Sequence, residues 1–209
     1  LATTAPSALV VADSRVDELL FPGLPPLPGA AVEARRVAAL YNDVQLAVGP
    51  QATRDAFAAI GDRAVVHLAL HATVNDAYPP GSALALTPRH EGDGSGALYA
   101  GEIAKLPRGR TRTVVLGACD GARGPAAGRD QGLSLARAFL AADIPTVVAA
   151  LWPVGDQRSV ELLTALHEGL RAGEDPATAL RAAQLRLLAG SDRMLSSPAT
   201  WALFQALGG

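Results

Sequence analysis

Two apolar runs in this chain end on side chains capable of covalent chemistry. Thr113-Val-Val-Leu-Gly-Ala118 leads directly into Cys119, the only cysteine among the 209 residues. Ala64-Val-Val-His-Leu-Ala-Leu70 leads in the same way into His71. A thiol attacks a carbonyl as its thiolate, and a neighbouring imidazole is the usual means of making one. A lone cysteine is more often a buried, inert packing group. Cys119 departs from that pattern by its position. The glycine-rich stretch from Asp120 to Asp130 comes directly after it, and glycine lets backbone approach a substrate closely.

Four histidines compete for the second role. His67 and His71 are four apart on one strand, so they share a face. His67 lies mid-run and reads as a satisfied core histidine or a sheet-face contact. His71 lies at the exit, where it can reach a thiol on a neighbouring strand. His90 and His167 read as solvated surface groups. Asp156 comes after Leu151-Trp-Pro-Val-Gly155 and reads as the N-cap of an amphipathic segment. It can equally present a carboxylate at a pocket mouth. Trp152 is either a core lid or a pocket wall.

The elements that must position these groups alternate between strand and helix. Strands are expected at Ala8–Ala12, Val44–Val48, Ala64–Leu70, Thr113–Ala118 and Thr146–Leu151. Helices are expected at Ala30–Tyr41, Thr53–Ile60, Leu133–Ala141, Asp156–Ala172 and Pro176 to about Leu188, with a short one at Gly101–Leu106. In the first of these, Val32, Val37 and Leu40 take one side, and Glu33, Arg35 and Arg36 the other. The polar segment Thr73–Gly101 reads as a loop or hairpin excursion around Ala83–Leu86 and Leu98–Tyr99. The tail Trp201–Leu207 leans towards a strand. This alternation argues for an α/β fold with a mostly parallel central sheet and helices on both faces. In such folds sites lie beyond the carboxyl ends of the strands, where the strand order reverses. His71 and Cys119 both stand at such ends.

Composition narrows the classes further. Hydrophobic residues make up 49%, much of it alanine, so a core of small, closely packed side chains is expected. The net charge of -2 comes without a basic stripe, which argues against direct nucleic-acid binding. No apolar stretch is long enough to span a bilayer. One cysteine excludes an internal disulfide and a multi-cysteine zinc site, and it suits a cytoplasmic setting. The chain has no Gly-x-Ser-x-Gly elbow, P-loop, dinucleotide fingerprint or His-Glu-x-x-His pattern, and no metal or cofactor is expected. The start at Leu1, without methionine or signal peptide, reads as a piece of a longer protein.

An ordered set of segments runs the length of the chain. It begins with Leu9-Val-Val-Ala-Asp13, Leu24-Pro-Pro-Leu-Pro-Gly29, Glu33 and Ala52-Thr-Arg54. It continues through Val65-Val-His-Leu-Ala-Leu-His71, Leu116-Gly-Ala-Cys119 and Gly132-Leu-Ser-Leu-Ala-Arg-Ala-Phe139. Val147-Val-Ala-Ala-Leu-Trp-Pro-Val154 with Asp156, Ala179-Leu-Arg-Ala-Ala-Gln184 and Trp201-Ala-Leu-Phe204 complete it. Taken in this order, the set resembles the CHAT family of caspase-like cysteine peptidase domains.

The resemblance implies a caspase-type α/β fold over one domain, residues 1–209, within a longer protein that carries repeat or sensor regions. It implies Cys119 as nucleophile and His71 as general base and acid in peptide-bond hydrolysis. Backbone N–H groups of Ala72 and Cys119 would hold the oxyanion, and no metal is needed. Asp156, with Asp120 and Trp152, would form a substrate pocket preferring Arg or Lys at P1. Arg123, Arg129 and Arg158 keep an acidic preference open, and Arg123 and Arg129 also suit self-cleavage after a basic residue. The expected partner is a protein or peptide substrate, with no membrane. The alternatives are a non-catalytic interaction domain that keeps the fold, and a small-molecule hydrolase or transferase with the same dyad. The chain differs from the family pattern in three places. Leu70 and Ala72 flank His71 where glycine is usual, Gly117 replaces a common serine, and Asp120-Gly121 replaces a polar-Thr pair. A glycine-only backbone angle at residue 72 would strain an alanine.

Overall fold

The computed structural model describes residues 6–12, 15–75, 77–118, 131–150 and 159–209. Its strands are β1 (Ala8–Ala12), β2 (Val44–Val48), β3 (Val65–Ala69), β4 (Ala72–Thr73), β5 (Ala83–Ala85), β6 (Ala97–Tyr99), β7 (Thr113–Ala118), β8 (Thr146–Ala150) and β9 (Phe204–Gly208). Its helices are α1 (Pro28–Ala38), α2 (Arg54–Phe57), α3 (Ala100–Ile103), α4 (Gln131–Ala141), α5 (Ser159–Ala172), α6 (Pro176–Leu188) and α7 (Pro198–Trp201).

Six strands form the central sheet in the order β2-β1-β3-β7-β8-β9. The first five run parallel, and β9 closes the edge antiparallel to β8. Every position of β1, β3 and β8 is buried. Runs without polar alternation are what a parallel strand needs when helices cover both of its faces. In β1, Ala8, Val10 and Ala12 pack against Ala30, Ala34 and Val37, while Leu9 and Val11 join the cluster of Phe57 and Ile60. From β1 the chain steps one way to β2 and the other way to β3, β7 and β8. Right-handed crossovers therefore place α1 and α4 on opposite faces. The order reverses between β1 and β3, so the crevice for a ligand opens at that carboxyl edge.

The Thr73–Gly101 excursion folds as a small antiparallel sheet, β4-β5-β6. The tail forms strand β9 as expected, preceded by one helical turn, α7, that ends on Trp201. The Gln184 side chain donates to Phe204 O at 3.0 Å and ties α6 to this edge.

Two sequence expectations are corrected here. In α1, Val32 is 46% exposed and Glu33 is buried. The inward stripe is made by Ala30, Ala31, Ala34, Val37 and Ala38, whose small side chains let the helix approach the sheet. Glu33 joins that stripe because it finds polar partners inside. His167 is fully buried rather than solvated. It lies on the apolar face of α5 beside Leu163, Leu166 and Leu170.

Helix α6 begins on a side-chain cap. Asp175 accepts the N–H groups of Ala177 and Thr178, both at 3.1 Å, and Pro176 occupies the first turn. Asp175→Ala is expected to lower stability by about 1 kcal/mol, read as a shift in the urea midpoint, with Asp175→Asn recovering most of it. Among the described residues no helix is long and apolar enough to cross a membrane.

Candidate active site

His71 sits two residues beyond the end of β3 and is buried. Its Nε2 lies 2.6 Å from Pro25 O, three residues before α1 begins. A carbonyl only accepts, so Nε2 carries a proton and Nδ1 is the nitrogen through which the neutral ring can take one up. The prolines around residue 25 hold the backbone extended, which fixes the carbonyl that orients the ring.

The neighbour of β3 is β7, paired parallel with Val65 opposite Thr113 and Ala69 opposite Ala118. The carboxyl ends of both strands therefore lie at the same edge of the sheet. Ala118 is the residue before Cys119. Cys119, Asp120, Trp152 and Asp156 lie outside the described residues, as do Arg123, Arg129 and Arg158. The pairing skips Gly117, which is the extra residue of a β-bulge. Bulges concentrate next to active sites, where they re-aim a side chain or end the pairing.

Ala72 opens β4. The Ala85 N–H donates to His71 O at 2.9 Å, and Ala72 stands opposite Leu84. Bonded and non-bonded pairs alternate in an antiparallel ladder, so the Ala72 N–H points away from β5. Among the described residues the only non-glycine with positive φ is Asp143. Ala72 is therefore ordinary extended backbone, and alanine at this position is unstrained.

A cavity of about 440 Å³ opens at this edge, lined by Arg15, Glu18, Pro25, Leu27, Pro50 and His71. These residues lie beyond the ends of β1, β2 and β3, so the cavity occupies the switch point. A larger cavity of about 650 Å³ lies away from it, against α2 and α3. Of its charged groups, Arg54 pairs with Glu102 and Arg89 with Asp55, and Asp93 accepts from His90 N–H and Ser95.

The model of the CHAT domain matches residues 2–209, almost the whole chain. The chain belongs to the CHAT family. The family is caspase-like in fold and related to cysteine peptidases, and the mixed sheet described above agrees with that fold. No curated protein matches the chain.

Beneath the edge, this CHAT domain holds a polar chain that sequence reasoning missed. Tyr41 Oη lies 2.8 Å from His167 Nδ1. His167 Nε2 lies 3.1 Å from His67 Nδ1, and His67 Nε2 lies 3.0 Å from Glu33 Oε1. Ser159 Oγ donates to Glu33 Oε2 at 2.6 Å. All five side chains are buried. Burial raises the Tyr41 pKa far above the ordinary range, against a smaller opposing pull from Arg171. Burial, and then the His67 ring, hold His167 well below its ordinary value. The phenol is thus protonated and the His167 ring neutral. One proton placement satisfies every contact: Tyr41 donates to His167, His167 Nε2–H to His67, and His67 Nε2–H to Glu33. Reversing the direction would leave the phenol proton without an acceptor in this chain. The signal in the sequence was His67 itself, since a histidine inside an all-buried strand must have partners.

The CHAT domain's Gly117 meets the same cluster. A Cβ built there would collide with Glu33 Oε1 and stand 3.0 Å from His67 Cε1. Glu33 occupies the space that a serine side chain at residue 117 would need.

Proposed function

We propose that this domain is a cysteine endopeptidase with Cys119 as nucleophile and His71 as general base and acid. The observation that carries the reading is the carbonyl-held His71, just beyond β3, the neighbour of the strand that ends at Ala118 before Cys119. His71 Nδ1 takes the thiol proton, and the thiolate attacks the scissile carbonyl to form a C–S bond. The resulting oxyanion is held by the N–H groups of Ala72 and Cys119. His71 then gives its proton to the leaving amine as the C–N bond breaks. Water, deprotonated by His71, attacks the acyl-enzyme, and the C–S bond breaks to release acid and free thiol. The chemistry calls for no metal.

Asp156, with Asp120 and Trp152, forms the P1 pocket in this reading and selects Arg or Lys. Residues 1–209 act as one peptidase unit in the cytoplasm, under the control of repeat or sensor domains of a longer protein. A peptide library varied at P1 tests both levels with the wild-type domain, Cys119→Ala and Asp156→Ala. Cleavage after basic residues that vanishes in Cys119→Ala supports the reading. Asp156→Ala is expected to lower kcat/KM for basic P1 by roughly 10- to 100-fold, since an unpaired substrate cation is left at the pocket. An unchanged P1 profile would remove Asp156 from the pocket. Ester or thioester turnover without peptide cleavage would point to a small-molecule hydrolase. No turnover, with an ordinary thiol at Cys119, would leave an interaction domain.

A further inference from the structure

The peptidase reading uses His71 and Cys119 and leaves unused a buried carboxylate, Glu33. Its two oxygens take one hydrogen bond from His67, on β3, and one from Ser159, the first residue of α5. The same carboxylate fills the space over Gly117, on β7. Glu33 itself rides on α1, the helix whose leading segment supplies Pro25 O to His71.

Each of these contacts lies within a few residues of a proposed site group. His67 is four residues before His71, and Gly117 is two before Cys119. Ser159 comes directly after the segment that contains Trp152 and Asp156. Helix α1, strands β3 and β7 and the start of α5 therefore meet at one carboxylate. The chain reaches this point by separate routes, since Glu33 and Ser159 are 126 residues apart. Without the carboxylate, His67 Nε2–H and the Ser159 hydroxyl would face an apolar interior, and the β7 bulge would lose the group that packs against it.

We propose that Glu33 is the positioning residue of this site: it sets the β7 exit, and with it the nucleophile, relative to His71. This rests on the peptidase reading. Glu33 touches no substrate in this role; it acts through His67, Ser159 and Gly117. The arrangement also accounts for glycine at residue 117, because any side chain there would push the carboxylate off its partners.

The single cysteine makes the test direct. The rate of Cys119 alkylation by iodoacetamide is measured against pH, well below each variant's melting midpoint, for wild type, Glu33→Ala, Glu33→Gln, Ser159→Ala, Gly117→Ala and His71→Ala. Misplacement by about an ångström is enough to slow a positioned reaction by roughly 10- to 100-fold. Glu33→Ala and Gly117→Ala are expected to slow alkylation by that amount and to move its pH profile towards that of an ordinary thiol. Ser159→Ala, which removes one hydrogen bond, is expected to shift both in the same direction by less. Glu33→Gln keeps an acceptor for His67 and offers its amide to Ser159 Oγ, so it should recover most of the rate. If Glu33→Ala does not fold, Ser159→Ala and Gly117→Ala carry the comparison. Folded variants that alkylate with the wild-type rate and pH profile overturn the proposal while leaving the dyad intact. Wild-type alkylation that ignores His71→Ala overturns the dyad, and the positioning role falls with it.

Discussion

If the proposed dyad holds, replacing His71 with alanine is expected to lower peptide cleavage by roughly 10²- to 10⁴-fold, the range typical for loss of a positioned acid–base group. Two steps fail together in this variant: formation of the thiolate, and protonation of the leaving amine. The first can be read without any substrate. An unassisted cysteine has a pKa of about 8.5, so only a few per cent is thiolate at neutral pH. Alkylation of Cys119 in the wild-type domain should therefore be fast at pH 6 to 7, and slow with an ordinary thiol profile in His71→Ala. The substitution removes the hydrogen bond to Pro25 O. That costs about 1 kcal/mol, and the variant should still unfold cooperatively. Equal alkylation profiles in wild type and variant would sink the dyad.

Stability of the domain should fall as pH drops below 6.5, because of His167. Its ordinary value is 6.5, and burial holds it well below that in the native state. Between those two values the unfolded chain binds a proton that the folded chain does not. Stability therefore rises with pH across the window, is fully present above 6.5, and is lost as pH falls towards the depressed native value. One such group contributes a slope of about 1.4 kcal/mol per pH unit. The groups facing it are Tyr41 and His67, with Glu33 beyond His67 and Arg171 acting through space. Carboxylates such as Glu102, held below its ordinary value by Arg54, lose their contribution only below about 4.5, so the histidine effect stands clear of them. Urea unfolding from pH 7.5 to 5 checks this. His167→Gln should be less stable at pH 7.5 but show a flatter slope below 6.5. A native-state histidine resonance that titrates near 6.5 at position 167 would contradict the assignment. Protonating His167 at Nδ1 would turn that nitrogen from acceptor to donor, so the Tyr41 phenol would lose its acceptor while the bonds from His167 to His67 and from His67 to Glu33 keep their direction.

The strands were legible because their burial is written in composition. A strand covered on both faces admits no polar alternation, and Ala8–Ala12 and Val65–Ala69 show none apart from His67. Local signals also placed α6, where Asp175 and Pro176 cap the first turn. Helix faces were harder. In α1 the apolar count favoured Val32 as an inward residue, yet the small alanines turn Glu33 inward and leave Val32 in solvent. A buried charge-bearing residue is recognisable only when its partners are known, and those of Glu33 lie on β3 and α5. His167 misled for the same reason. On an amphipathic helix a histidine beside leucines can turn either way, and here His67 and Tyr41 decide it.

By itself, then, the sequence determined the parallel α/β order, the strand exits that carry His71 and Cys119, and the family to which the chain belongs. Those are local properties: periodicity, caps and short motifs read along the backbone. Only the tertiary structure decided that β3 and β7 are neighbours in register, that Pro25 O orients the His71 ring, and that Glu33 lies over Gly117. Each of these joins residues separated by tens of positions or more. Contact at such range is settled by packing of whole layers, and no local propensity encodes it.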